Sequence, residues 1–468
     1  MKFIQTIWTG QRSLLVEPFG WAHPEFHLMS WALSCLSLKR YYDSLTLYTD
    51  SEGCYTLIDK LKLPYDNVIV QKDNLPCLPQ NWAYSKIKTY SLQCEPFLHI
   101  DSDFYLKQSF PDKLLTSKLI AQNKEHGTSY YKGMIDVLFN FNSIKIPDYL
   151  KMELKNEAVP SFNMGIFGGD DLNFIHHYCN EVFKFFNENH LNDINNPNST
   201  ISCNVVFEQI FFAIIAKKAR RHVETLFKQN MQDNGYTVED FCNLSYYKNK
   251  SFFHIIGGHK KNKLVCESLG KALLEMNPEY YENIIRLFPK QHRRLTYSFH
   301  ILNNPPDLPT YHDFISQQEI SWKELTPDYL LKQEKKAAHY TYFLNADKQT
   351  QLQTIFSRHP LLSIYSISPN CSQEIRQLLV KRFPHFSPKN FSDIALIPAL
   401  TENGLIEAAI DDAAYNILAI LNAPKTFGEI QKEFTNTFSV KLKIQSKKIN
   451  ECLRRTISYL LFYGIITI

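Results

Sequence analysis

No stretch of this chain approaches the roughly 18 consecutive apolar residues that would span a bilayer. The start, Met1-Lys2-Phe3-Ile4-Gln5-Thr6-Ile7-Trp8, lacks a signal peptide's apolar core and small-residue cleavage site; it reads as a first strand. The ten cysteines are scattered without a C-x-x-C pair. That argues against a disulfide framework or a zinc site and fits reduced thiols in a cytoplasmic protein. Charge of one sign is also scarce: 51 Lys and Arg stand against 47 Asp and Glu, a net +4, too mild to call for nucleic acid. What is present is core-forming material. The 468 residues are 44% hydrophobic and 14% aromatic, enough for two or three domains.

Up to about residue 302 short apolar runs alternate with helical patterns. Lys2–Trp8, Leu45–Tyr48, Asn67–Val70 and Pro96–Ile100 are strand-like, and Glu25–Lys39 has helical apolar spacing. The alternation predicts an α/β domain with a mostly parallel sheet and ligands at the strands' carboxyl ends, where Asp50 and Asp101 stand. Asn303-Asn304-Pro305-Pro306-Asp307-Leu308-Pro309 stops regular structure and marks a boundary. Residues 303–389 look helical and polar, a connector or a small helical domain. From 390 the character changes. Ile394–Leu400 and Leu405–Ile410 flank the turn signal Thr401-Glu402-Asn403-Gly404, a hairpin. Asp411 or Asp412 can cap a helix through Leu421. Further helices are expected over Phe427–Phe434 and Ser446–Tyr463, a small winged-helix-like α+β module.

The chemistry centres on Asp101-Ser102-Asp103, at the end of the apolar run Phe97-Leu98-His99-Ile100. Two carboxylates so close repel each other, and burial disfavours both charges. A divalent cation removes that cost. Oxygen ligands suit Mg²⁺ or Mn²⁺, which can then hold a diphosphate. Upstream, Lys86 or Lys88 can neutralise that diphosphate; a solvated lysine is the plain alternative. In Ser161-Phe162-Asn163-Met164-Gly165-Ile166-Phe167-Gly168-Gly169-Asp170 the glycines permit close backbone approach, and Asn163 or Asp170 suits sugar hydroxyls; a strand and tight turn is the alternative. Glu208 and Gln209 open an apolar helix, where inward-facing polar groups need partners. In His254-Ile255-Ile256-Gly257-Gly258-His259-Lys260 the imidazole can complete a metal shell begun by two aspartates. Gly257 and Gly258 let backbone amides reach phosphate, and Lys260 adds charge.

The ordered set Lys86, Asp-x-Asp, Asn-x-Gly, Glu-Gln and His-x-x-Gly-x-x-Lys resembles the GT-A (Rossmann-like) glycosyltransferases over about residues 1–265, especially the retaining family 8 type. The chain departs from that type in having no Pro-Trp after Lys260. The resemblance implies that Asp101, Asp103 and His254 bind Mn²⁺ or Mg²⁺ and that Lys260 contacts the diphosphate of a nucleotide sugar, a UDP-sugar. It places Asn163 and Asp170 on the donor sugar and Gln209 beneath the anomeric carbon. Asp170, Asp171 or Glu208 would serve as base if the enzyme inverts. The module from 390 resembles the leader-peptide recognition domain of ribosomal peptide natural-product pathways, whose prototype is the small chaperone of pyrroloquinoline quinone biosynthesis. Such domains bind an extended leader by strand addition. By that resemblance Leu405, Ile406, Glu407 and Ala408 supply the edge strand, and Ile449 and Leu453 the apolar pocket. A packing domain that steadies the enzyme is the alternative.

The first expectation is therefore a retaining, hexosyltransferase-like enzyme that glycosylates a ribosomally made precursor peptide. A second makes the acceptor a cell-envelope glycan or lipid. A third is a winged-helix regulator with a degenerate sugar-binding domain, drawing on Lys443, Lys447, Lys448, Arg454 and Arg455. The partners expected are the precursor peptide and the nucleotide sugar, with no nucleic acid and no membrane span, and with a homodimer left open.

Overall fold

The computed structural model describes all residues except 72, 74, 127–128, 156–158, 194, 197, 199–201, 229–230, 233–250, 289–307, 338–339, 368–390, 401–403 and 443–445. The chain forms two compact units, Met1–Leu273 and Leu274–Ile468.

The first unit is mixed α/β around an eight-stranded, parallel-rich sheet. Its strands are β1 (Lys2–Thr6), β2 (Leu45–Thr49), β3 (Asn67–Val70), β4 (Phe97–Ile100), β6 (Ile120–His126), β7 (Pro160–Gly169), β8 (Glu224–Thr225) and β9 (Met231–Gln232). The order is β3-β2-β1-β4-β7-β6-β8, with β9 also on β6. Strands β1 to β4 run parallel. Leu45–Thr49 and Phe97–Ile100 are buried at every residue, which is why these strands are near-continuous apolar runs rather than alternating ones. The order reverses between β1 and β4, so the loops leaving their carboxyl ends flank one crevice.

Past Asp103 the chain leaves this sheet. Strand β5 (Phe104–Leu106) pairs antiparallel with β10 (Phe252–His254), with Phe104 opposite His254. The Ile255 amide then donates to the Asp103 carbonyl at 3.0 Å. A residue about 150 positions downstream is thereby set beside the acidic turn.

Strand β7 runs antiparallel to β4, with Ile100 opposite Ile166 and Phe97 opposite Gly169. Its register against β6 shifts between Ala121 and Asn123, which pair with Phe167 and Asn163. Residues 164–166 bulge opposite Gln122, and the Gly165 carbonyl accepts from the Asp101 amide at 2.9 Å. Gly168 lies where a β-carbon would sit 2.0 Å from the Phe97 carbonyl oxygen.

In the second unit the hairpin is present as β13 (Phe391–Pro398) against β14 (Leu405–Asp411); its turn residues 401–403 lie outside the described set. Asp411 caps the following helix, Asp412–Ile420, by accepting from the Ala414 amide at 2.7 Å. Helices Phe427–Leu442 and Ser446–Phe462 follow. Among the described residues, the stretch expected to be a helical connector is helical as far as Gln353. Two strands then appear, β11 (Ile355–Arg358) and β12 (Ser363–Ser366). β12 adds to β13, giving the order β12-β13-β14, while β11 joins β15 (Lys425–Thr426) to β16 (Ile466–Thr467). These short strands were hidden because their partners lie 30 to 110 residues downstream, beyond any local pattern. Asn303–Asp307 lie outside the described residues, and Pro309 falls in the first turn of the helix Leu308–Trp322, where a missing N–H costs nothing.

Gly168→Ala should lower the unfolding free energy by about 3 kcal/mol, because the obstructing atom is backbone and cannot rotate away. Urea unfolding of the full chain measures it, and a loss under about 1 kcal/mol would mean that β4 and β7 are not so closely apposed.

Candidate functional site

The Asp101–Asp103 turn is held from below by one helix face. On the helix Pro24–Lys39, Ser30 Oγ donates to the Ser102 carbonyl at 2.8 Å and Ser34 Oγ to the Phe104 carbonyl at 2.8 Å. Ser37 Oγ accepts from the Leu106 amide at 3.0 Å. The spacing 30, 34, 37 puts all three hydroxyls on one stripe. Gln5 Nε2 reaches the Ile100 carbonyl at 3.3 Å from β1. The turn's backbone is thus satisfied from behind, and its carboxylates are free to face the crevice.

Asp101, Asp103 and His254 offer one ligand atom each, all within 4.8 Å of one another. Ligands on one Mg²⁺ ion at about 2.1 Å can be at most about 4.2 Å apart, so closure by well under 1 Å completes a site. Two carboxylates and an imidazole are a donor set for a hard or borderline divalent ion, and the residues fit one. His254 Nε2 lies 3.2 Å from Asp103 Oδ1. Its Nδ1 is buried with no hydrogen-bond partner among the described residues. A β-carbon at position 165 would meet that ring at 2.5 Å and Gln122 Oε1 at 2.3 Å. The close approach that Gly165 permits is to the imidazole.

Two lysines balance the carboxylates. Lys86 comes from the helix Ala83–Ser91 and is almost wholly buried. Its ammonium is 2.8 Å from Asp101 Oδ1 and 2.5 Å from Glu208 Oε1. Burial works against its charge, but Asp101 and Glu208 outweigh it and raise its pKa above the ordinary lysine value. Lys88, the other candidate, is exposed, with its ammonium 5.9 Å from the Phe183 ring centroid. Lys260 ion-pairs with Asp103 Oδ2. It sits in a short 3₁₀ turn, Gly257–Lys261, which begins at φ +50 on Gly257, a conformation that favours glycine.

The carboxylates differ in character. Burial raises the pKa of Asp101, with Lys86 offsetting it and Asp103 adding to it. Burial likewise raises Glu208, beside Lys86 and Asp101. Burial also opposes charge on Asp103, yet Lys260 and His254 together hold it well below the usual carboxylate range.

Glu208 and Gln209 lie in a π-helical turn, Val206–Ile210, of the kind often found at functional sites. Gln209 Oε1 accepts from Tyr131 Oη at 2.6 Å. Asn163 donates to Glu125 at 3.0 Å and accepts from the Gly165 amide at 3.0 Å.

Asp170 is not part of this site. Because β7 is antiparallel to β4, the residue after Gly169 emerges at the amino end of β4, whereas Asp101 follows its carboxyl end. Asp170 pairs there with Lys118 at 3.2 Å. Asp171 caps the helix Leu172–Glu188 at the same end. Neither can act as a base or sugar ligand at Asp101. Asp50 is likewise structural: it accepts from Thr9 N at 2.6 Å, Thr9 Oγ1 at 2.8 Å and Gly53 N at 3.0 Å.

Motif reading missed several contributors. Glu125 and Tyr131 sit in no recognisable motif. His27 is fully buried near Lys260 and Asp103; burial first, and then Lys260, lower its pKa to about 3. The Trp31 indole donates to its Nε2 at 3.0 Å. The Ser30–Ser34–Ser37 stripe was the one readable signal, hydroxyls on an otherwise apolar helix.

Of the residues assigned to a peptide, only Ile406 keeps partial exposure. Leu405, Ala408, Ile449 and Leu453 are buried, and Glu407 is buried with its carboxylate accepting from Tyr311 Oη at 2.5 Å. They fill the interior of the second unit. Ala409 O accepts from Tyr459 Oη at 2.9 Å. Lys443 lies outside the described residues, and Arg454 is engaged by Gln351 Oε1 at 2.8 Å.

Residues 1–287 match a family described as "Family of unknown function (DUF6734)", and the chain belongs to that family. No curated protein matches the chain. Among the described residues no helix is long and apolar enough to cross a membrane.

In metal-free protein the acid limb of stability should report on Asp103. Its folded pKa lies below its ordinary value of 3.8. Its ionised form therefore stabilises the fold fully above that value, and the contribution is lost as pH falls towards the folded pKa. Asp103→Asn should cost about 1–2 kcal/mol near neutral pH. The gap to the unsubstituted protein should narrow steadily below about pH 4. A gap that stays constant into strong acid would place Lys260 and His254 away from Asp103.

Proposed function

We propose that this protein is a metal-dependent glycosyltransferase that moves a sugar from a nucleotide-diphosphate donor to a ribosomally made precursor peptide. The observation that carries the reading is the convergence of Asp101, Asp103 and His254, drawn from two distant stretches, into one ligand set flanked by Lys86 and Lys260. A divalent ion held there would neutralise a bound diphosphate and the charge it gains as the glycosidic bond breaks. Lys260, partly exposed, would contact phosphate oxygens once Asp103 has another partner. Lys86 keeps Asp101 and Glu208 together in a buried setting. Asn163 and Gln209 supply amides on the same side. The parallel-rich sheet with the acidic pair after β4 is compatible with a GT-A fold.

The peptide part of the reading rests on the second unit. Among the described residues β14 is an edge of the sheet β12-β13-β14, and an extended segment would add there once the groups that bury Leu405 and Ala408–Ile410 give way. Tyr459, which holds the Ala409 carbonyl, would have to yield if the segment bonds there. A peptide held on the same chain gains effective concentration at the metal site, to about millimolar with a short linker.

Two measurements test the reading. The full chain is screened with Mn²⁺ against nucleotide sugars, following donor cleavage and the mass of a candidate precursor peptide. A chelator, or Asp103→Asn, should abolish donor cleavage while the protein stays folded; full turnover in chelator ends the metal assignment. Separately, Ile406→Asp on β14 should cut peptide glycosylation at least about tenfold, the loss of roughly one good apolar contact with its strand pairing. Donor hydrolysis should stay within twofold of the original. If the two activities fall together, or neither changes, β14 is not the peptide-binding edge.

A further inference from the structure

Beside the acidic pair a closed circuit of polar contacts runs through two residues that the proposed chemistry has not used. Lys86 bridges Asp101 and Glu208. The residue after Glu208, Gln209, accepts from Tyr131 Oη at 2.6 Å, and the same hydroxyl hydrogen-bonds Glu125 Oε2. Glu125 Oε1 accepts from Asn163 Nδ2 at 3.0 Å. Asn163 Oδ1 accepts from the Gly165 amide, and the Gly165 carbonyl accepts from the Asp101 amide at 2.9 Å. The circuit returns to its start.

Glu125, Tyr131 and Asn163 are each more than nine-tenths buried, whereas Asp101 and Gln209 keep partial exposure, so the circuit opens to solvent at one side. Packing alone does not call for a buried carboxylate here, since well-packed apolar side chains would avoid its desolvation. The phenol carries one proton and faces two acceptors, so the orientations of Glu125 and Gln209 are tied through it. Each of the two amides has donor and acceptor capacity beyond these bonds. That pairing of capacities matches a hydroxyl group, which also donates and accepts.

We propose that Glu125 and Tyr131 are positioning residues that hold the Asn163 and Gln209 amides as a hydroxyl-reading face, and so determine which sugar the site accepts. This rests on the glycosyl-transfer reading and deepens it. A site built to hydrogen-bond a hydroxyl rejects an analogue lacking it far more strongly than an apolar pocket can, provided the amides are held rigidly.

Calorimetry on the full chain with Mn²⁺ tests it, using UDP and a panel of UDP-hexoses that differ at single hydroxyls. Tyr131→Phe and Glu125→Gln should leave Mn²⁺ and UDP affinity within twofold. Each should weaken the best UDP-hexose at least about tenfold, the scale of one lost hydrogen bond to a fixed polar group, and compress the differences among hexoses. The double variant should be little worse than either single, since both cut one circuit. Gln209→Ala, at a half-buried position, should give the same loss and covers the case in which a buried variant fails to fold. The proposal is overturned if these variants keep the original affinity differences among hexoses, or if UDP affinity and melting temperature fall in step with UDP-hexose affinity. Unsubstituted protein that binds neither Mn²⁺ nor UDP would instead bring down the glycosyl-transfer reading, and this inference with it.

Discussion

The buried ammonium of Lys86 is the interaction on which the site depends. It lies between Asp101 and Glu208, two carboxylates whose own burial disfavours charge. Without a cation there, either the acids would take up protons or the elements bearing them would part. Such a pair is poor evidence of net stability, because desolvating three charges is expensive. It is better understood as a device for fixing geometry. It ties the helix Ala83–Ser91, the turn after β4 and the π-helical turn Val206–Ile210 to one point.

The arrangement around that point follows from strand direction. β4 delivers the acidic pair at its carboxyl end, as parallel sheets do. β7, running the other way, passes the same end with Asn163 to Gly165 rather than with Asp170. The Gly165 carbonyl accepts from the Asp101 amide as the next rung of the β4–β7 ladder, and the bare glycine leaves room for His254. The β5–β10 ribbon then brings the imidazole across. Each step needs the previous one. The serine stripe of Pro24–Lys39 pins the backbone between Ser102 and Leu106, the strand on which the ribbon is built.

That dependence explains which parts of the site were legible in the amino-acid order. Strands β1, β2 and β4, the first helix, the final hairpin and its capped helix were readable because burial on both faces, or a turn with a cap, leaves a local pattern. Asp101, Asp103, His254, Lys86 and Lys260 were readable as types of chemistry. The local pattern did not separate Lys86 from Lys88, since residues two apart on a helix point to different sides and nothing nearby marks the inner one; the family resemblance alone named Lys86. Asp170 was misplaced because a motif carries no strand direction. Glu125 and Tyr131 were invisible because their meaning is a contact 38 or 78 residues away. β11 and β12 were missed for the same reason: each acquires its identity from a distant partner.

Charge balance gives the site a direction of action. Asp101, Asp103 and Glu208 stand against Lys86 and Lys260, so the five groups carry one net negative charge when all are ionised, apart from His254. A divalent cation turns that to one net positive charge, and a diphosphate then finds an attractive field in a partly dry crevice. The two lysines divide the work. Lys86, nearly sealed from solvent, is committed to the carboxylates under all ordinary conditions. Lys260, about one-fifth exposed and held by a single carboxylate, is the movable charge. A cation that took over Asp103 would free that ammonium for an incoming anion. Under the proposed function, metal first and phosphate second is thus the order that the electrostatics would favour, because the five groups without a cation carry net negative charge.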